Sequence, residues 1–266
     1  MTLDLYINKC WKDFQRRKSL SVVCNPSIPI LWFGNYDEYV NSEKKILTVG
    51  LNPSSMEFKE KRSSTVFDVK VRFPTANSLV RISVLTQQEI DLYKRAMNEY
   101  FSIGTDYWTW FESFENILSA FNASYKLPNL HRAIHVDIYT PIATNPTWGG
   151  LKKAHAKDKQ ALLQNTEYNF EDFVDYLNPD IIIVSANADV VYNTFCNSQN
   201  QPCTKFNTDA CLPQFEKPYY PYIRGYHLDN NRILIWVKNC RGKPLRGVNK
   251  TDINYRIQQI MNQLTP

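Results

Sequence analysis

Asp180-Ile181-Ile182-Ile183-Val184-Ser185, entered from Pro179, is an almost unbroken run of β-branched apolar residues. Such a run suits a strand covered on both faces, as strands are inside a parallel sheet. Working outward, Lys45 to Gly50 (KILTVG) and Ala133 to Thr140 (AIHVDIYT) lie upstream and Arg232 to Val237 (RILIWV) lies downstream, each a short extended pattern. The intervals carry helical periodicity over Thr75 to Ala120 (in two or three pieces), Lys152 to Leu177, Ala186 to Phe195 and Asp252 to Leu264. Strands that alternate with helices pair in parallel through crossovers. The expected fold is therefore α/β: a three-layer α/β/α sandwich with a central, mainly parallel four-stranded sheet. One domain is expected over 1–266, with an N-terminal helix in 1–25 and the core in 26–266. That first helix spans Leu3 to Arg17, with Leu5, Ile7, Trp11 and Phe14 as its apolar stripe. Ile28 to Gly34 is held extended by Pro26 and Pro29. Asn197 to Tyr222, with four prolines and no clean periodicity, reads as a long loop.

Composition narrows the class. The 266 residues are 43% hydrophobic and 21% charged, which separates the chain from disordered sequences. No run of 18 apolar residues occurs, and the first 18 residues carry Asp4, Lys9, Lys12 and Asp13, unlike a signal peptide. A soluble, cytoplasmic, monomeric protein with no membrane contact is expected. The net charge of +5 permits a nucleic-acid partner without requiring one. None of the six cysteines forms a C-x-x-C pair, so neither a metal nor another cofactor is expected.

In parallel sheets ligands bind beyond the carboxyl ends of the strands, which directs attention to three loops. The first is Gly50-Leu51-Asn52-Pro53-Ser54-Ser55, where glycine permits close backbone approach and proline stiffens the turn behind Asn52. The second follows His135-Val136-Asp137-Ile138-Tyr139-Thr140-Pro141. Alternation puts His135, Asp137 and Tyr139 on one face, and a carboxylate inside an apolar strand is costly unless partnered. A structural ion pair would meet that cost as well as a binding role would. The third is Asn239-Cys240-Arg241-Gly242-Lys243-Pro244-Leu245-Arg246-Gly247, whose glycines and cations suit contact with phosphates. A second basic run, Lys152, Lys153, Lys157 and Lys159, has only Asp158 against it and reads as a solvated face.

Gly50-Leu51-Asn52-Pro53 on a strand end resembles the water-activating motif of the uracil-DNA glycosylase superfamily, in the branches with Asn where others have Asp. The resemblance extends to Ile28 to Gly34, Arg72-Phe73 to Leu79, His135 to Trp148, Asp180 to Ala186 and the Asn239 to Gly247 loop, in family order. It implies a metal-independent DNA N-glycosylase that leaves an abasic site. Asn52 would orient the attacking water, with Gly50, Leu51 and Pro53 shaping the base pocket. Asp137 would read the base edge where many relatives have Asn, with Tyr139 beside it. Phe58, or else Phe67, would stack on the flipped base. Asn239 would contact the leaving base, although Cys240-Arg241 replaces the usual Pro-Ser after it. Arg241, Lys243 and Arg246 would bind DNA phosphates, and Leu245 would serve as a wedge.

A carboxylate at position 137 accepts from the N4–H₂ of cytosine, and if protonated it could also donate to N3. The expected base is thus of the cytosine type; the resemblance to a bacterial defence branch of the superfamily, which removes glucosylated hydroxymethylcytosine from phage DNA, implies a modified cytosine and a role in antiviral defence. Uracil or mismatch repair would use the same motifs. A zinc deaminase is ruled out, because His135-Val136-Asp137 is not H-x-E and Pro202-Cys203 has no second cysteine three residues on. A non-catalytic nucleic-acid-binding module remains open. So does a partner-binding protein using the aromatic-rich helix Trp108 to Phe121, although such stripes are more often core.

Overall fold

The computed structural model describes residues 1–60, 64–103, 109–128, 130–196, 223–228, 231–239, 244–245 and 249–264. Among the described residues there are six strands: β1 (Ile46–Gly50), β2 (Ala123–Ser124), β3 (His131–Asp137), β4 (Ile181–Val184), β5 (Ile223–His227) and β6 (Ile233–Val237). They form one sheet in the order β2-β3-β1-β4-β6-β5. The fold is α/β and the sheet is mostly parallel: β1–β4, β4–β6 and β2–β3 are parallel and β5–β6 is antiparallel. The four expected strands are its consecutive centre, β3-β1-β4-β6. The expected count of four is corrected to six by two strands that sequence pattern hid. β2 has only two residues, too few for a pattern. β5 (IRGYH) places a glycine, Arg224 and His227 in an edge strand.

The chain forms two compact units: Met1–Asp37, Gly50–Thr105 and Ile134–Asn178 make the first, and Glu38–Val49, Asp106–Ala133 and Pro179–Pro266 make the second. The boundaries at 49/50 and 133/134 fall inside β1 and β3.

In the first unit, α1 (Leu3–Arg17) has the bounds its periodicity predicts. Ile7, Trp11 and Phe14 are buried as expected, whereas Leu5 is exposed; Leu3, Tyr6 and Cys10 complete the inward face. Tyr93, on α3 (Gln87–Asn98), meets Trp11 edge-on at 6.2 Å. Its hydroxyl accepts from Leu31 N at 3.0 Å and donates to Pro29 O at 3.0 Å, fixing the extended 28–34 segment. The helix expected across Lys152 to Leu177 is broken into α5 (Ala156–Leu163) and α6 (Phe170–Leu177). The break has a partner. Arg17, ion-paired with Asp13 at 2.9 Å, donates to the carbonyls of Ala161, Gln164 and Asn165, while Asp13 accepts from Glu167 N and Tyr168 N. The backbone groups freed by breaking the helix are thus satisfied by a buried ion pair.

In the second unit, β4 is buried along its whole length, as its all-apolar sequence requires. Thr48, the one polar residue of β1, shares a hydrogen bond with Tyr125 at 2.5 Å. The aromatic-rich α4 (Thr109–Leu118) buries Phe111 and Phe114. Gly225 lets β5 approach α8 (Lys250–Leu264) so closely that an added Cβ would lie 2.2 Å from Ile260 Cγ2 and 2.8 Å from Leu264 Cδ1. Gly225→Ala is expected to lower stability by about 1–3 kcal/mol, the usual cost of overpacking, read as a fall in the urea midpoint. An unchanged midpoint would show that α8 yields freely. Among the described residues, no helix is long and apolar enough to cross a membrane.

Candidate functional site

The strand order reverses direction around β1, whose neighbours β3 and β4 lie on opposite sides. At such a switch ligands bind beyond the strand's carboxyl end, which singles out the loop that follows Gly50. The loop beyond Gly50 is locked to the loop beyond β3. Ile138 N donates to Gly50 O at 3.1 Å, Tyr139 N to Leu51 O at 2.9 Å, Thr144 N to Pro53 O at 3.3 Å and Ser55 N to Thr144 O at 3.1 Å. Cys24 N and Asn145 N, bonded to Ala143 O and Val22 O, tie the far side of the second loop. This ladder makes a rigid platform from two irregular segments, all within the first unit.

Asn52 stands on that platform, half-buried. Its Nδ2 donates to Pro53 O at 2.8 Å, Thr144 Oγ1 at 3.2 Å and Ile142 O at 3.4 Å. Two of these partners are carbonyls that can only accept, so the nitrogen must face them and the amide orientation is determined by chemistry. Its Oδ1 meets no donor among the described residues and points its lone pairs away from the platform's carbonyls.

Asp137 ends β3, buried, with Oδ1 3.6 Å from His135 Nε2. Both side chains lie over Gly50: an added Cβ there would stand 2.6 Å from Asp137 Oδ1 and 3.0 Å from His135 Nε2. Gly50 is therefore required for space. His135 is itself held between two paired backbone bonds with Phe33 and an edge contact with its ring at 5.5 Å. β3 ends at Asp137, so Tyr139 belongs to the loop and not to the strand face expected for it. Its half-buried ring stacks on Trp148 at 4.7 Å, and burial raises its pKa. Leu51 is half-buried and Pro53 buried.

Phe58 is fully buried, packed 5.8 Å from Phe73, which packs 5.5 Å from Tyr100. A ring without exposed surface has no face for a base to stack on, and of the two phenylalanines considered only the half-buried Phe67 keeps one. Asn239 and Leu245 lie in the second unit. Asn239 bridges Pro244, and Leu245 is buried at φ 45°, which does not match a protruding wedge. Arg241, Lys243 and Arg246 lie outside the described residues, as does the 197–222 segment.

Sequence reading missed Glu57. Buried in the turn after Pro53, it accepts from Tyr100 Oη at 2.6 Å. Burial pushes its carboxyl up to about 7, against the Tyr100 hydrogen bond and the Arg72 charge, while the field of Asp137 adds to the rise. A buried Tyr100, its own pKa raised by burial and by Glu57, completes the cluster. The available signal was a carboxylate between Met56 and Phe58, a cost needing an account. Among the described residues no three His, Cys, Asp or Glu side chains are grouped to hold a metal. No family model, curated protein or solved structure matches this chain.

Proposed function

We propose that this chain is a DNA glycosylase that hydrolyses the N-glycosidic bond of a flipped-out modified cytosine, leaving an abasic site. The observation that carries the reading is the pinned amide of Asn52, whose oxygen is presented from a rigid strand end. The resemblance of Gly50 to Pro53 to the uracil-DNA glycosylase superfamily supplies the reaction class, and the same reading takes the helices to cover both sheet faces as an α/β/α sandwich. It also takes the protein to act as a cytoplasmic monomer on invading DNA.

A neutral amide accepts a hydrogen bond from water but is too weak a base to take its proton. The C1′–N bond therefore breaks first, the base leaving with the electron pair, and Asn52 Oδ1 holds water against the cationic sugar. The water oxygen bonds C1′ and its proton ends on the departed base. Orientation and electrostatics carry the rate. Asp137, whose Oδ1 lies over Gly50, offers carboxylate oxygens to N4–H₂ of a cytosine, and a modification at C5 leaves that edge free.

The test is abasic-site formation on two DNAs, one containing uracil and the other glucosylated hydroxymethylcytosine. Product is expected from the second alone, reduced about 100-fold or more in Asn52→Ala, the range for losing one pre-aimed polar group. Asp137→Asn is expected to shift preference toward uracil. Product from uracil alone in the wild type would make this a repair enzyme, and no product from either would sink the catalytic reading.

A further inference from the structure

We propose that the 144–159 segment, together with Lys59, forms a track for the phosphate backbone of the DNA strand that enters the Asn52 site; its choice of DNA rests on the glycosylase reading. Lys152, Lys153 and Lys157 are exposed, and among the described residues no carboxylate lies within ion-pair reach of them. The one acid in the run, Asp158, is engaged by the Ser21 hydroxyl. The run therefore keeps its positive field instead of neutralising it internally, unlike the salt-bridged surface of α1, where Lys12 and Arg16 pair with Glu167.

Position distinguishes this run from an ordinary solvated face. Lys159 Nζ lies 4.7 Å from the centroid of Trp148, and Trp148 stacks on Tyr139, whose backbone is bonded to Leu51 beside Asn52. The other end of the same loop leads there too. Lys59 Nζ donates to Asn145 Oδ1 at 3.5 Å, while Thr144 Oγ1 accepts from Asn52. Lys59 is only 8% exposed, its Nζ meets the Asn145 amide oxygen and the Phe67 ring at 5.0 Å, and no carboxylate is within ion-pair reach among the described residues. Burying an ammonium against neutral partners is costly and is offset when an anion docks. A phosphate diester, one charge per nucleotide, matches a row of cations at loop spacing better than a single small anion does.

The experiment measures Kd for an unmodified 20-base-pair duplex as a function of salt, beside excision from the glucosylated hydroxymethylcytosine DNA. Each lost phosphate contact removes about 0.9 from the slope of log K against log salt. The triple Lys152→Gln, Lys153→Gln, Lys157→Gln variant is expected to lower the slope by about 2 to 3, and Lys59→Gln by about 1. The triple Lys→Arg variant should keep the full slope, and kcat at saturating DNA should be unchanged in both triple variants. An undiminished slope in the Gln triple overturns the track even if excision is intact, so the glycosylase reading would survive it. A reduced slope in a protein that excises nothing supports the track and removes the glycosylase reading instead. Wild-type protein that does not bind the duplex at all overturns the track.

Discussion

Gly50→Ala protein is expected to fold yet to lose the proposed base excision by about 100-fold or more, with a stability loss of about 1–3 kcal/mol. The new methyl group would stand 2.6 Å from Asp137 Oδ1 and 3.0 Å from His135 Nε2, so a side chain over Gly50 must shift. Both are buried, and His135 is clamped to Phe33 on the backbone and through its ring. The carboxylate must therefore turn away from the position in which it would meet a base, and an ångström of misplacement is enough to cost two orders of magnitude. A double-mutant cycle isolates the cause. In an Asp137→Ala background the same Gly50→Ala change should cost much less stability, because its nearest obstacle is gone. Full excision and an unchanged midpoint in the single variant would show that this crowding has no functional weight.

The second large effect concerns Glu57→Gln, and its sign follows from the raised carboxyl. In the unfolded chain Glu57 titrates near 4.5, and in the folded protein near 7. Below pH 4.5 the group is protonated in both states and contributes nothing to pH dependence. Between these values the folded state holds a proton that the unfolded state has released, so stability falls as pH rises. Above about 7 the full cost is present, on the order of 3 kcal/mol. Glutamine keeps an oxygen to accept from Tyr100 and never ionises. The variant should therefore match wild type at pH 4 and exceed it by roughly 3 kcal/mol at pH 8, measured by urea unfolding at both values. Because the charge of Asp137 acts on Glu57, the proposed excision should also lose a limb near pH 7 in the variant. Parallel stability-versus-pH curves for the two proteins would show that Glu57 carries no such cost.

The central sheet was legible because runs such as Ile181 to Val184 have no other economical use than a strand buried on both faces. Where burial is total, however, alternation loses its meaning. His131 to Asp137 is buried almost throughout, so the reading that grouped Tyr139 with Asp137 had no exposed face to calibrate against. The edge strand β5 was invisible because what makes it a strand is β6 beside it and α8 against Gly225, not its own composition. For the same reason Asn52 and Asp137 could be picked out as polar residues on apolar strand ends, whereas Glu57 depends on Tyr100 and Arg72, distant in sequence. Phe58 and Leu245 show the converse: an aromatic or a leucine in a loop gives no indication of whether it faces outward, and both are buried.

The amide of Asn52 also bears on which neighbouring sequences are reachable. Relatives of the family it resembles use Asp at the equivalent place, and one base change converts an Asn codon to an Asp codon. Here that step would aim a carboxylate oxygen at the carbonyls of Pro53 and Ile142, both of which now receive an N–H. Two donated bonds would become two repulsions, and the stronger base would be rotated out of place or protonated and silenced. A lineage carrying this loop is thus confined to the weaker, neutral group until the backbone at 53 and 142 is re-aimed. On the proposed glycosylase function, its adaptation would proceed by improving how a base is gripped instead of how water is activated.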